Sequence, residues 1–324
     1  MLLEKKRLTP KERILKAIRH EEPDRVPLNI WLYREDYSQT VADKYGSVEA
    51  FFDQYGIDMF TVFAPPPWDG IERRTYDIDE ALALQFPDPC RDSMYDAVRE
   101  AVEFHGRKKK RAVFCQIGAC FESSNGVLTM PNNLMYMLTE PRKLHDFYRK
   151  VSDWFQAQAE MVIGCGIDVL HLSDDWGQNN RMLFSPECWW EFVFPHDKAI
   201  VDVGRRAGVP VSLHSCGYMM DVVGGCVDLG LDVLNPIQTS AGMDPYAIKR
   251  DYGDKLCLYG ALDVRDVLPR YTLPEIEAEV KSLMDGLKPG GGFIFCSAHT
   301  VNPDIPLESV EKAYQCALEY GRYR

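Results

Sequence analysis

Two residues that can bind a metal, His214 and Cys216, stand two positions apart where an apolar run of the chain ends. Residues two apart on an extended chain point to the same side, so the imidazole and the thiol can meet at one point. Zinc takes nitrogen and sulphur ligands in a tetrahedron and keeps one position open in catalytic sites. Cys296 or His299, at the end of the last apolar run, could supply a third ligand. The pattern therefore predicts a zinc site, with a packed Cys216 thiol beside a hydrogen-bonded His214 as the alternative.

A pair of adjacent acids, Asp174 and Asp175, follows another apolar run, at 168–172. Burial and a neighbour of like charge both raise a carboxyl pKa, which suits a proton donor. We expect at least one of the two to face a pocket. The alternative is that one caps a helix while the other lies in solvent.

Aromatic and amide side chains stand near several other predicted strand exits. They are Trp31, Trp68, Trp176 and Gln238. Large aromatic side chains at one end of a sheet favour an aromatic-lined pocket, so we assign these four to substrate binding. Core packing would explain each tryptophan as well.

Eight apolar, β-branched runs must position these side chains. They lie at 26–31, 58–63, 112–117, 168–172, 209–214, 232–236, 256–259 and 292–296. Helix-length segments separate most of them, for example 141–165, 186–207 and 274–287, and Thr9, Pro10 and Glu12 predict a capped first helix over 10–20. Near-continuous apolar strands that alternate with helices are typical of a parallel sheet covered on both faces.

The alternation predicts a single (β/α)8 TIM barrel over residues 1–324 with an N-terminal helical extension, an α/β fold. Catalytic groups of such barrels lie at the carboxyl ends of the strands, where the residues above are found. An open doubly wound sheet is the alternative. It lacks support, because no GxGxxG segment follows any of the strands.

Composition excludes several classes of protein. The 324 residues carry 49 acidic against 37 basic side chains, a formal net charge of −12, which argues against a nucleic-acid partner. No apolar run approaches the roughly 18 residues that span a bilayer, and the charged start MLLEKKRLTPKER is unlike a signal peptide. We therefore expect a cytoplasmic protein without a membrane partner, whose ten cysteines are mostly reduced thiols. A homodimer is left open.

Four segments resemble the uroporphyrinogen decarboxylase superfamily. They are TPKERILKAIRHEEPDRVPLNIW, LHSCGYMMDVVGGCVDLGLDVLNPIQ, LYGALDVRDVLPR and PGGGFIFCSAHTVNPDIPLESV. The resemblance covers nearly the whole chain and implies a (β/α)8 barrel. It implies one of two activities, that of the haem-pathway decarboxylase or that of the zinc-dependent methyltransferases that work with corrinoid proteins.

Departures from the family pattern favour the methyltransferase branch. The decarboxylase has an arginine-rich motif after its first strand, where this chain has only Arg34, and its essential aspartate falls at Pro65. The methyltransferase branch has His-x-Cys after one strand and a further Cys after the last. His214 and Cys216 resemble the first part, and His299 stands in the place of the last Cys while Cys296 lies earlier.

A second pattern resembles the methyltransferases that demethylate aryl methyl ethers. Glu160, Asp175 and His196 have the spacing of a Glu, Glu and His set described for those enzymes, with Asp in place of the second Glu. If that set held the metal, it would compete with the His-x-Cys site.

The leading hypothesis is a methyltransferase that moves a methyl group from a methoxylated, preferably aromatic, small molecule to the cobalt of a separate corrinoid protein. Zinc on His214 and Cys216 would bind the reacting heteroatom. The catalytic proton donor would be among Asp174, Asp175, His196 and His299. The alternatives are a decarboxylase without cofactor, for which Arg34, Arg181 and Arg265 are the few cationic candidates, and a non-enzymatic binding protein.

Overall fold

Strands and helices alternate along the chain in the computed structural model, which describes residues 8–323. The strands are β1 (Met59–Phe63), β2 (Ala112–Gly118), β3 (Val169–Ser173), β4 (Val211–His214), β5 (Val233–Ile237), β6 (Cys257–Leu262) and β7 (Phe293–Ser297). The helices are α1 (Pro10–Ile18), α2 (Glu35–Tyr45), α3 (Val48–Tyr55), α4 (Ile78–Ala83), α5 (Asp96–Ala101), α6 (Cys120–Leu128), α7 (Met130–Thr139), α8 (Pro141–Gly164), α9 (Pro186–Cys188), α10 (Phe194–Ala207), α11 (Val223–Leu229), α12 (Pro245–Tyr252), α13 (Val267–Arg270), α14 (Leu273–Leu287) and α15 (Leu307–Tyr320). Over these residues, no helix is long and apolar enough to cross a bilayer.

The strands form one sheet in the order β1 to β7, and the pairs β2–β3, β3–β4 and β6–β7 are parallel. Strands β3 to β7 are buried along their whole length, as expected for a parallel sheet covered on both faces. The predicted α/β alternation is confirmed. Because the strands are parallel, residues that follow neighbouring strands lie at the same edge of the sheet.

The prediction of a strand over 26–31 was wrong. This segment makes one parallel bridge, between Leu28 and Phe295, and the Asn29 N–H donates to the Phe295 carbonyl. Pro27 supplies no N–H, so the ladder cannot extend through it. The described part of the chain therefore has a seven-stranded sheet in place of the eight predicted strands.

Most predicted helices lie close to their observed positions. The Thr9–Glu12 capping box is present at the start of α1, and α8 ends one residue before the predicted limit. The predicted helix over 186–207 is divided into α9, a π-helical turn at Trp189–Val193, and α10. Pro195 has no N–H to donate at the start of α10, which interrupts the regular hydrogen-bond ladder there.

By their internal contacts, the residues group into two compact units. One contains the described residues up to 60, residues 105–112 and the described residues from 235 on, and the other contains 61–104 and 113–234. The single barrel domain over 1–324 stays a prediction. In the first unit the fully buried Asp58 carboxylate pairs with the guanidinium groups of Arg13 and Arg25 and accepts the Leu28 N–H at 2.8 Å. A buried carboxylate is tolerated only when it is paired in this way, so Asp58 joins α1 to the segment before β1.

Candidate functional site

The carboxyl ends of β3 and β4, in the second unit, bring three predicted site residues together. His214 ends β4, and the Cys216 backbone N–H donates to Asp175 Oδ1 at 2.7 Å. The Cys216 thiol donates to Asp175 Oδ2 at 3.3 Å, and His214 Nε2 lies 3.8 Å from Asp175 Oδ1. An imidazole, a thiol and a carboxylate therefore meet beside the strand ends. Asp175 is half-buried, so this cluster is reached from the surface.

The Cys216 thiol is protonated in this setting. Burial, and then the charge of Asp175, raise the pKa of Cys216 above its usual range. The thiol proton that points at Asp175 in this hydrogen bond is the one that a metal ion would displace, because metals bind the thiolate. Asp175 is placed to receive that proton.

Glu122, a residue that the sequence analysis did not select, lies beside this cluster. It stands in the first turn of α6, after β2, and its Oε2 accepts the Ser173 hydroxyl at 2.9 Å. Burial, and then the nearby charge of Asp175, raise the pKa of Glu122. The signal was present in the sequence: a carboxylate follows the apolar run 112–117 at the same end as the other polar groups.

Asp174 has a structural position. It is fully buried, and it accepts the backbone N–H groups of Phe121 at 3.3 Å and Glu122 at 2.6 Å and the Trp176 indole N–H at 2.6 Å. Asp174 therefore caps a helix, which was the alternative to a pocket-facing acid. The helix is α6, which precedes Asp174 in the chain. Anions stabilise the exposed N–H groups at a helix start. We do not retain Asp174 as the proton donor to a substrate.

Asp197, on α10, forms a carboxyl pair with Asp174. Asp197 Oδ1 accepts the Cys120 N–H at 3.2 Å, and its carboxyl lies close enough to that of Asp174 for the two groups to affect each other's pKa. No N–H donor reaches Asp197 Oδ2 within the described residues, so a proton shared by the two carboxyls is what can satisfy it. Burial raises the pKa of Asp197 to about 6, and burial with the Asp197 charge raises that of Asp174 well above its usual value.

The structure does not bring together the competing metal set of Glu160, Asp175 and His196. Glu160 is exposed on α8, and His196 Nε2 lies 3.2 Å from His145 Nδ1. Burial lowers the pKa of His196 to about 4, so it is neutral and packed at physiological pH. Within residues 8–323, no group with metal-ligand spacing contains Glu160 or His196. The three residues have the same sequence spacing as the set described for the other enzymes. In the structure, however, their side chains lie on different elements that do not converge.

A cavity of about 270 Å³ lies at the ends of β1, β2 and β3. Trp68, Gln116, Glu122 and Ser173 are among its lining residues. Gly126 lets the indole lie close to α6, because an added Cβ would come within 2.9 Å of Trp68 Nε1. The assignment of Trp68 to a pocket therefore agrees with its position, and the same pocket contains the Glu122 carboxyl.

Trp176 has different surroundings from those predicted. It is fully buried, its ring centroid lies 5.3 Å from that of Trp189, and its N–H holds Asp174. These contacts belong to core packing, the alternative given for each tryptophan, rather than to a substrate wall.

The remaining predicted site residues lie in the first unit. The Trp31 indole donates to the Tyr259 hydroxyl at 2.9 Å, and Gln238 follows β5 and is half-buried. Cys296 is fully buried within β7, where burial raises the pKa of its thiol, whereas His299 follows β7 and is exposed. Of the two candidates for a third metal ligand, His299 is therefore the one that is open to solvent and needs no deprotonation.

Comparison with known proteins places the chain in a family. The family model for uroporphyrinogen decarboxylase (URO-D) matches residues 70–320. The uroporphyrinogen decarboxylase of Colwellia psychrerythraea is 28% identical over 178 residues, which are 52% of this chain and 46% of that protein. That of Mannheimia succiniciproducens is 26% identical over 261 residues, which are 74% of this chain and 68% of that protein. The chain thus matches about half the length of several of these curated relatives.

A solved structure supports the fold over nearly the whole chain. A methyltransferase from Methanosarcina mazei superposes with a TM-score of 0.76 at 16% identity and covers 97% of this chain and 99% of that one. At this identity the likeness shows the fold alone, an α/β barrel-like fold with a parallel sheet, as predicted. The family match over residues 70–320, which is more than half of the chain, shows that the chain belongs to the uroporphyrinogen decarboxylase (URO-D) family.

Proposed function

We propose that this protein is a methyltransferase that takes the methyl group of a methoxylated aromatic molecule and passes it to the cobalt of a separate corrinoid protein. The observation that carries the proposal is the cluster of His214, Cys216 and Asp175, with an imidazole and a thiol at the end of one strand. Nitrogen and sulphur donors with a proton acceptor beside them suit a catalytic zinc ion.

The proposed zinc site uses His214 and Cys216, and its third ligand is one of the two that the sequence offers, Cys296 or His299. Three protein ligands leave a fourth position for the substrate. When bound there, zinc would act as a Lewis acid on the ether oxygen. The chain's own residues would bind and orient the substrate: Trp68 offers an aromatic wall, and Asp175 takes up the proton that Cys216 loses on metal binding.

A second candidate function is decarboxylation without a cofactor. The family match and the names of the curated relatives favour it. A porphyrinogen substrate carries many carboxylates and needs a cluster of cations. Arg34, Arg181 and Arg265 are all exposed, and Arg34 already pairs with Asp36 at 3.1 Å. We therefore rank this function second.

The deciding experiment mixes the purified protein with a reduced corrinoid protein and a set of methoxybenzoates and methoxyphenols. We expect the corrinoid absorbance to report methylation of cobalt with at least one aryl ether, and no demethylation when the corrinoid protein is omitted, because a methyl group on oxygen needs a strong nucleophile. Omission of the enzyme is the matched control. Absence of transfer across the set, with decarboxylation of a porphyrinogen instead, would replace the proposal with the second candidate.

A further inference from the structure

Glu122 lies on the wall of the cavity that also contains Trp68, at the carboxyl ends of the strands. We propose that Glu122 is the proton donor to the oxygen that leaves when the methyl group is removed, a catalytic role that rests on the proposed methyltransferase function. Protonation makes the departing oxygen a better leaving group, because an alkoxide or phenoxide leaves reluctantly without a proton.

The position of the carboxyl group favours this role. Glu122 is half-buried, so it can meet a substrate and still be shielded from bulk water. Ser173 donates to Oε2 at 2.9 Å and so fixes the orientation of the carboxyl plane. The Trp68 indole lines the same cavity, where the ring of an aromatic ether would be held within reach of the acid.

The backbone of Glu122 is anchored independently of its side chain. Its N–H donates to Asp174 Oδ1 at 2.6 Å, at the buried start of α6. Asp174 is in turn held by the Trp176 indole and by the carboxyl of Asp197. The buried carboxyl pair of Asp174 and Asp197 therefore positions Glu122, because Asp174 holds the backbone of the first turn of α6.

The other acids of this unit are less suitable. Asp175 accepts both the N–H and the thiol of Cys216, and Asp174 is fully buried. His196 is in contact with His145. Burial and the charge of Asp175 favour the neutral form of Glu122, as a general acid requires.

The bond between the methyl carbon and the ether oxygen breaks, and its electron pair stays with the oxygen, which takes the proton of Glu122 and leaves as a phenol. The methyl carbon forms a bond to the external nucleophile, which supplies the electron pair for it. Glu122 is left as a carboxylate, and water returns its proton before the next turnover.

The test compares Glu122→Gln with Glu100→Gln, the same chemical change at an exposed position of α5. Rates of methyl transfer are measured for a series of methoxybenzenes whose phenol products differ in pKa. We expect Glu122→Gln to lose about a hundredfold with the most basic leaving groups, the usual size of a general-acid contribution. The loss should shrink as the phenol becomes more acidic, because an acidic phenol leaves without a proton. Glu100→Gln should match the wild type throughout.

A second measurement does not depend on turnover. Calorimetric binding of the phenol products, without corrinoid protein, should weaken about tenfold in Glu122→Gln, since the phenol loses a hydrogen bond to an ionisable group. A loss of rate that is equal for all leaving groups, or unchanged phenol binding, overturns the assignment of Glu122. If the wild type transfers no methyl group but binds phenols in a Glu122-dependent way, the proposed function fails while the contact of Glu122 with the phenolic oxygen stands.

Discussion

Cys216→Ser should weaken zinc binding by about a thousandfold, or about 4 kcal/mol, and leave the fold intact. A serine hydroxyl is a far poorer zinc ligand than a thiolate, so the His-x-Cys pair would keep only the His214 imidazole as a good donor. The fold should persist, because Cys216 is half-buried and its backbone N–H still donates to Asp175. Zinc content after purification without chelator, followed by competition with a chromophoric chelator, measures the change.

The matched control is Cys90→Ser, which makes the same exchange at an exposed cysteine. It should bind zinc like the wild type, and circular dichroism should show the same helical content for both variants. Zinc affinity that is equal in Cys216→Ser and the wild type would refute the His214 and Cys216 site. Loss of zinc in both serine variants would show that the metal is held nonspecifically by thiols.

The fold was predictable because its signal is repeated many times. Each of the strands β1 to β7 is an apolar run, and Thr9 and Glu12 mark the first helix by hydrogen bonds that are local in sequence. The failure over 26–31 has a local cause: the apolar content favours a strand, but Pro27 has no N–H to extend the bridge on one side, and on the other the Trp31 N–H donates to the Ser297 hydroxyl. An apolar run predicts that a segment is buried more directly than it predicts that its backbone forms the hydrogen bonds of a β-sheet.

The site was predictable in part, for a related reason. His214 and Cys216 are only two positions apart at a strand end, so the backbone between them keeps their side chains close together. The relation of Asp174 to α6 depends on a contact between residues about fifty positions apart, and no local pattern reports it. The same holds for Glu122, whose place beside the cluster depends on its contact with Ser173 on the neighbouring strand. Glu160, Asp175 and His196 are far apart in the sequence, and their spacing does not require the side chains to lie near one another in the fold.

The buried pair of Asp174 and Asp197 predicts a stability that falls as the pH rises. Burial raises the pKa of Asp197 from 3.8 to about 6 in the folded protein, so the folded state binds a proton that the unfolded chain releases near pH 4. The Asp197 part of the stabilisation is therefore complete below pH 4 and is lost as the pH rises through about 6. The proton on Asp174 is kept to higher pH, because burial and the Asp197 charge raise the pKa of Asp174 well above its usual value. A shift of about two pKa units corresponds to on the order of 3 kcal/mol.

Asp197→Asn should remove this dependence and make the protein more stable at neutral pH by up to about 3 kcal/mol. The asparagine oxygen can still accept the Cys120 N–H, and its amide N–H can donate to Asp174, which replaces the shared proton with a fixed donor. Urea unfolding at pH 4 and at pH 8 measures the difference for the variant and the wild type, with Asp153→Asn, an exposed position on α8, as the control. The two proteins should be nearly equal at pH 4 and should diverge at pH 8. If Asp197→Asn is less stable than the wild type at pH 8, ionisation of Asp197 does not destabilise the fold, and its carboxylate is held by contacts that an amide cannot reproduce.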